Sequence, residues 1–191
     1  MVKPPEIGVY LRTGAVPRSH DHRTRWEEML DAAASPTSTI DSANASTPPQ
    51  LFGMEPLNDL FDPDQVARLV AGTKGRRALE DSLVICSFNC RGSSNKLLAD
   101  CLNAATGWDW EPGEVSKFGH RISNLLRCFD IRHGRDIKKE RPSPRYSSAP
   151  THGPAKGRSV SVCWEQLLAK FYESMGWDEK SGIPLPEALR N

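Results

Sequence analysis

The chain has 191 residues, of which 25 are Lys or Arg and 24 are Asp or Glu, so its formal net charge is only +1. This length suffices for one medium-sized domain with a hydrophobic core, and so balanced a charge gives no reason to expect a nucleic acid or an anionic membrane as partner. No apolar run approaches the roughly 20 residues that span a bilayer, and the N-terminus lacks the apolar centre of a secretory signal peptide, so we expect a cytoplasmic protein.

The first predicted helix follows an irregular basic segment, "PRSHDHRTR", that contains His20 and His22. Trp26 is followed at i+3 and i+4 by further apolar residues, which predicts a short helix over "RTRWEEMLDAAA". The imidazoles and guanidiniums before it are typical of a solvated basic loop, or alternatively of an anion site or an acid–base group. Residues 35–61 are rich in Ser, Thr, Ala and Pro and are predicted to form a loop or linker.

Two further helices are predicted, one on each side of Gly75. Asp62 is suited to cap the first of them, with Pro63 in its first turn. The second is predicted to run from Arg76 to about Ile85. Its end, "SLVIC", also fits a short buried strand, and we prefer the helix because the surrounding elements are helical.

Three later segments keep a helical period. "SSNKLLADCLNAATG" has Ser94 as its predicted N-cap and Gly107 as its C-cap. "EVSKFGHRISNLLRCFDIRHG" keeps an apolar face as far as Phe129, and "VCWEQLLAKFYESMGWD" has Trp164 on its inner face. A basic, Pro- and Gly-rich stretch between these two predicts a second long loop. We therefore predict a mainly α class, with one multihelical domain over residues 1–191 and two long irregular loops.

The five cysteines are an odd number at irregular spacings. This pattern argues against a disulfide framework and is typical of reduced thiols or metal ligands. Cys86 and Cys90 form a CxxxC, which without a second pair is a weak zinc signal, and on a helix it favours buried core thiols. The other three, Cys101, Cys128 and Cys163, lie on apolar stripes and are predicted to be core residues. A small zinc protein that uses Cys86 and Cys90 is an open alternative.

Five motifs occur in the order found in tungsten-containing aldehyde:ferredoxin oxidoreductases. "DSLVICSF" resembles the family's Asp-x-x-Gly-Leu-Cys signature, and "LNAATGWDW" with "GHRISNLLRCFDIRHG" resembles its NAxTGWD and GxRIxNLxRxFNxRxG block. "RPSPRY" with "GPAKG" resembles the family's LPxR loop, and "FYESMGWDEKSGIP" its terminal YYxxxGWDxxGxP. "PRSHDHRTRW" resembles RGxxHxR. Each motif is short, but together they cover most of the chain outside the Ser- and Thr-rich loop.

The resemblance implies a tungsten (or molybdenum) bis-pterin and a [4Fe-4S] cluster, which together oxidise an aldehyde to a carboxylate and pass electrons to ferredoxin. Cys86 resembles the fourth thiolate of the cluster, Asp81 the carboxylate that hydrogen-bonds a pterin, and Ile85 the residue whose backbone meets that pterin. His22 best matches a histidine near tungsten that orients substrate or moves a proton, with His20 as the competing assignment. Thiolates suit iron–sulfur ligation, and carboxylates accept readily from pterin N–H groups.

Departures from the family pattern separate two hypotheses. Val84 stands where the signature has glycine, and Asp130 where the block has asparagine. One cysteine cannot hold a four-iron cluster, so we expect N-terminal and middle domains of the same enzyme to supply the other thiolates and most of the pterin site. The isolated chain is then expected to be inactive. The alternative is a truncated remnant or helical interaction module without cofactor or catalysis.

Overall fold

The computed structural model describes residues 8–11, 20–36, 42, 47–90 and 92–190. Within these ranges lie the α-helices α1 (Trp26–Ala34), α2 (Pro63–Thr73), α3 (Arg76–Ser82), α4 (Asn95–Thr106), α5 (Pro112–Arg132) and α6 (Trp164–Ser174). Short 3-10 helices cover His22–Thr24, Pro49–Phe52, Ile137–Lys139 and Val160–Val162. The predicted mainly α class is confirmed. None of the helices among the described residues is both long and apolar enough to cross a bilayer.

Some sequence predictions fall outside the described residues. These are most of the N-terminal basic segment, including Arg18, and residues 37–41 and 43–46 of the predicted loop 35–61. The described part of that loop contains the 3-10 helix Pro49–Phe52.

The predicted caps are confirmed at two helices. The Asp62 carboxylate accepts a hydrogen bond from the Gln65 amide at 2.8 Å and begins α2. The Ser94 hydroxyl accepts one from the Leu97 amide at 3.0 Å and begins α4. Gly107 ends α4 in the left-handed conformation, with φ +73°. These caps could be predicted from the sequence because each depends only on neighbouring residues.

The buried apolar side chains form two clusters. The larger lies between α1, α2 and α6, and its fully buried members include Met29, Leu30, Val66, Leu167 and Phe171. The smaller lies between α3, α4 and α5 and consists of Leu79, Leu98, Ala99, Leu102 and Val115. Burial of each such Leu, Val, Ile, Phe or Met side chain stabilises the fold by about 1.5–3 kcal/mol.

The corner between α2, which packs in the larger cluster, and α3, which packs in the smaller one, lies against α5. Gly75 begins α3 with φ +79°, and a Cβ atom placed on it would lie 1.9 Å from the carbonyl oxygen of Gly119 on α5. Near this contact, His120 Nε2 donates to the Ala71 carbonyl at 2.7 Å, and burial lowers the pKa of His120. The backbone of α5 therefore touches the corner directly, which only two facing glycines permit.

Buried ion pairs flank the same corner. Lys74 Nζ lies 2.5 Å from Asp31 Oδ1 on α1, and both side chains are at most 1% exposed. On the other side, Arg76 donates to Glu80 Oε1 at 2.7 Å and to Asn95 Oδ1 at 2.7 Å. Breaking a buried pair by removing one partner costs about 3–5 kcal/mol. The corner is thus attached to α1 through the Lys74–Asp31 pair and to the start of α4 through the hydrogen bond from Arg76 to Asn95.

Arg127 on α5 attaches the C-terminal segment to the helices. Its guanidinium donates to Glu140 Oε1 at 2.6 Å and to the Gly182 carbonyl at 2.8 Å, and it lies 4.7 Å from the centre of the Trp177 ring. Trp177 in turn donates to Asn124 Oδ1 at 2.8 Å. Two of the sequence motifs, "SNLLR" and "GWDEKSG", therefore bind each other inside the fold.

Parts of the predicted apolar stripes lie at the surface instead of the core. On α5, Leu125 is 71% exposed and Phe129 is 59% exposed, and on α4 Leu97 is 52% exposed. Trp108 of "LNAATGWDW" is 51% exposed, whereas Trp177 of "FYESMGWDEKSGIP" is 3% exposed. Helical periodicity identified the apolar faces correctly, but it does not say which apolar faces are covered.

We expect Gly75→Ala to lower the free energy of unfolding by more than about 3 kcal/mol, because it combines a left-handed backbone with a steric overlap. The matched control is Gly53→Ala, where φ is also left-handed at +73° but no atom lies within 4 Å of the added Cβ. The control should lose only about 1–2 kcal/mol. Urea unfolding followed by circular dichroism measures both, and equal losses would contradict the close backbone contact.

Candidate functional site

Both histidines of the basic segment lie beside one buried carboxylate. The Asp21 carboxylate accepts a hydrogen bond from the Arg23 amide at 3.1 Å and caps a 3-10 turn that directs His22 inward, where it is 1% exposed. Glu28, in the first turn of α1, places Oε2 3.0 Å from His22 Nε2 and 3.4 Å from His20 Nδ1. The His20 side chain is 46% exposed. The two predicted catalytic residues are thus neighbours, one buried and one open.

Tyr146 completes this cluster from the second long irregular stretch. Its hydroxyl makes a short buried hydrogen bond with His22 Nδ1. Burial and the nearby Glu28 raise the pKa of Tyr146, so the hydroxyl stays protonated at neutral pH. The sequence pattern predicts neither Glu28 nor Tyr146 as members of the site. Tyr146 lies 124 positions from His22, and only the fold brings them together.

Glu28 is an anion in this setting. Burial alone would raise the pKa of its carboxyl, but contacts with His22, His20 and Arg25 together lower it to about 2. Arg25 Nη1 lies 3.1 Å from Glu28 Oε1 and 3.2 Å from His20 Nδ1. At neutral pH the cluster is therefore a buried carboxylate surrounded by two imidazoles and a guanidinium.

The neighbouring Glu27 faces a different environment. It lines an apolar cavity of about 220 Å³, with Phe52, Leu57 and Val70 among the walls. Burial raises the pKa of Glu27 to about 7. Adjacent carboxyl groups on α1 therefore differ widely in their protonation, a pattern that is common at functional sites.

The signature segment "DSLVIC" forms the C-terminal cap of α3. The Val84 amide donates to the Asp81 carbonyl at 3.0 Å, and the Ile85 amide donates to the Glu80 carbonyl at 3.0 Å. This pair of bonds defines a Schellman cap, in which the residue after the C-cap takes a left-handed conformation. The Ile85 side chain packs against the smaller apolar cluster. The segment is thus neither the predicted continuation of the helix to Ile85 nor a buried strand.

Val84 occupies the left-handed position of this cap, with φ +59°. Among the described residues it alone combines a side chain with a positive φ. It is 94% exposed, so packing does not compensate the conformation. A β-branched residue here costs roughly 1–2 kcal/mol relative to glycine. The position that carries glycine in the signature has therefore kept the backbone shape that glycine favours.

Cys86 follows the cap directly and is exposed, as is Asp81. The prediction of a buried core thiol on a helix is wrong for Cys86, because α3 ends four residues earlier. Cys90 is partly buried, and burial raises the pKa of its thiol. An exposed carboxylate in the last turn of α3 and an exposed thiol directly after its cap fit a metal cluster or cofactor that approaches from outside the chain.

The other cysteines correct a second burial prediction. Cys101 is exposed, and Cys128 and Cys163 are partly buried. Among the described residues, no hydrogen bond or ion pair joins the histidine cluster to the turn that carries Cys86. The structure thus groups the predicted site residues into two sets: His20 and His22 in one, and Asp81, Ile85 and Cys86 in the other.

Comparison with known proteins gives a consistent match. Residues 10–191 match the family model described as aldehyde ferredoxin oxidoreductase, domains 2 and 3. The chain is 28% identical over 187 residues to the tungsten-containing aldehyde ferredoxin oxidoreductase of Thermococcus kodakarensis, and 30% identical over 186 residues to that of Pyrococcus furiosus. These alignments cover 96% and 94% of this chain but 30% of each relative. The chain thus spans less than a third of the length of these curated relatives.

We expect Val84→Gly to raise the free energy of unfolding by about 1 kcal/mol, because glycine relieves the left-handed strain without losing a packed side chain. Val162→Gly is the matched control, since Val162 is likewise largely exposed, at 86%, but has no positive φ. The control should lose about 0.5–1 kcal/mol through backbone entropy. Changes of opposite sign in the free energy of unfolding of the two variants support the strained cap. A decrease in both variants contradicts it.

Proposed function

This chain belongs to the aldehyde ferredoxin oxidoreductase family, and from this premise we propose that it is the C-terminal part of a tungsten (or molybdenum) pterin enzyme that oxidises aldehydes to carboxylic acids. The observation that carries the proposal is the exposed cap of α3. It presents the Asp81 and Cys86 side chains, and its left-handed residue, Val84, stands at the glycine of the family signature.

We assign the cofactor contacts to the residues of this cap. The Cys86 thiolate would ligate one iron of a [4Fe-4S] cluster, and the Asp81 carboxylate would accept hydrogen bonds from a pterin. Ile85 anchors the turn in the smaller apolar cluster and would present its backbone to that pterin. When bound, the pterin metal and the cluster supply the redox chemistry, in which two electrons leave the aldehyde and reach ferredoxin.

The histidine cluster would handle substrate and protons. Glu28 and Tyr146 contact the two ring nitrogens of His22, which holds the ring in one orientation. We keep His22 as the candidate catalytic residue and His20, which is 46% exposed, as the alternative that a substrate can reach directly. A positioned imidazole is the commonest proton-transfer group in enzymes.

Exposed apolar side chains support docking onto further domains of the same enzyme. Those that are more than half exposed include Val84, Phe88, Leu97, Trp108, Leu125 and Phe129. Large exposed apolar surfaces mark interaction sites. The remaining domains would supply three further cluster thiolates, because a four-iron cluster needs four ligands. The alternative, a remnant or helical interaction module, keeps the same surface but binds no cofactor.

We expect anaerobic co-expression with the N-terminal and middle domains of a family enzyme to yield a complex with tungsten or molybdenum and about four irons. Cys86→Ser should lose cluster iron while still assembling. Cys90→Ser, four residues away and partly buried, is the matched control and should retain the iron. Metal analysis of the purified complexes measures the iron content of the unsubstituted chain and of both variants. Equal iron content in both variants would contradict Cys86 as a ligand, and a complex that contains no tungsten, molybdenum or iron supports the alternative without a cofactor.

We expect the isolated chain to bind a hydrophobic dye and to self-associate, because apolar side chains on α4 and α5 face solvent. Leu125→Glu combined with Phe129→Glu should reduce both properties with a change in stability of at most about 0.5 kcal/mol per site. Val162→Glu, at an exposed position before α6, should leave dye binding unchanged. Dye fluorescence and light scattering provide the measurement, and a clean monomer with low dye binding would contradict the docking surface.

A further inference from the structure

Three metal-ligating side chains converge at the start of α1. Ligand atoms of His20, His22 and Glu28 all lie within 4.8 Å of one another. We propose that they form a binding site for one divalent transition-metal ion of the zinc type. This site uses none of the residues assigned to the pterin or the iron–sulfur cluster. It does not depend on the proposed function, and in it His22 is a metal ligand instead of a proton-transfer group.

The distances match the edges of a metal-coordination tetrahedron. Nitrogen and oxygen ligands lie about 2.0–2.2 Å from zinc, so tetrahedral ligand atoms lie about 3.4 Å from one another. Glu28 Oε2 lies 3.0 Å from His22 Nε2 and 3.4 Å from His20 Nδ1. The edge to His22 has to lengthen slightly, and the edge between the two histidines is at most 4.8 Å. His20 can adjust both its position and this edge because its side chain is 46% exposed.

His22 Nε2 supplies an independent indication of a ligand. It is buried and has no hydrogen-bond partner, although Glu28 Oε2 lies 3.0 Å away. A contact this short without a hydrogen bond means that the oxygen lies out of line with the ring N–H direction. A metal ion bound between the two atoms would supply the partner that Nε2 lacks.

The surroundings of the three ligands favour the same assignment. Tyr146 bonds His22 Nδ1 and leaves Nε2 as the ring nitrogen available to a metal ion, and such partners of the second ring nitrogen are typical of metal-bound histidines. Two imidazoles and one carboxylate are also the protein ligands of one common class of catalytic zinc site, which keeps its fourth position open. Glu28, with 3% of its side chain exposed, contributes the negative charge that a divalent cation needs.

Arg25 competes with the metal ion for the same carboxylate. Its Nη1 lies 3.1 Å from Glu28 Oε1 and 3.2 Å from His20 Nδ1. The Arg25 side chain is 39% exposed, so it can move into solvent when a cation binds. Removing this positive charge should therefore strengthen metal binding, whereas a purely structural ion pair predicts no such gain.

The test uses the 191-residue chain with Cys86, Cys90 and Cys101 replaced by serine, so that the two exposed thiols and the partly buried Cys90 thiol cannot bind the metal. Zn²⁺ is titrated by calorimetry, and Co²⁺ is titrated in parallel because its visible spectrum reports coordination geometry. His20→Ala and Glu28→Gln remove one ligand each, and Arg25→Gln removes the competing charge. His152→Ala is the matched control, since His152 is exposed and lies outside the cluster. Circular dichroism confirms that each variant is folded.

We expect one Zn²⁺ per chain and a tetrahedral Co²⁺ spectrum. His20→Ala and Glu28→Gln should each weaken binding by at least about tenfold, Arg25→Gln should strengthen it up to about fivefold, and His152→Ala should leave it unchanged. The proposal is overturned if the chain without these thiols binds no Zn²⁺, or if the folded His20→Ala and Glu28→Gln variants bind it as tightly as the control. Because the chain is tested alone, neither result depends on its assembly with other domains.

Discussion

The direct contact between the backbones of Gly75 and Gly119 determines how the rest of the structure is arranged. It places the α2–α3 corner against α5, where no side chain separates them. From this corner Lys74 reaches Asp31, which lies on α1 less than one turn after Glu28, and Arg76 reaches Glu80, the residue before Asp81. Both sets of candidate site residues, the histidine cluster and the cap of α3, are therefore positioned from one point.

Local signals in the sequence predicted the helices and their caps, but not their burial. Asp62, Ser94 and Gly107 act on neighbouring backbone groups, so their roles follow from a few residues. Leu125 and Phe129 have the same periodicity as buried residues, and only the tertiary arrangement shows that they face solvent. For the same reason His20 and His22 were identifiable as polar candidates, while Glu28 and Tyr146, which define their chemistry, were not.

Much of the family resemblance is carried by residues that hold the fold together. Asn124, Arg127, Trp177 and Gly182 bond to or stack on one another in the core. A protein could keep these motifs for stability after losing its catalytic activity. Fewer of the motif residues bear on the chemistry, namely Cys86 with Asp81 and the histidines around Glu28. The functional assignment has to be tested at those residues.

The strained cap at Val84 also has a genetic consequence. Every valine codon becomes a glycine codon through one base change, so the relaxed cap is a single point mutation away. The hydrogen bonds from Val84 and Ile85 and the packing of Ile85 preserve the shape of the turn without help from glycine. Exchange between valine and glycine during evolution would therefore change the stability of the fold while leaving the position of Cys86 the same. The signature glycine is thus an unreliable marker of which chains retain the turn.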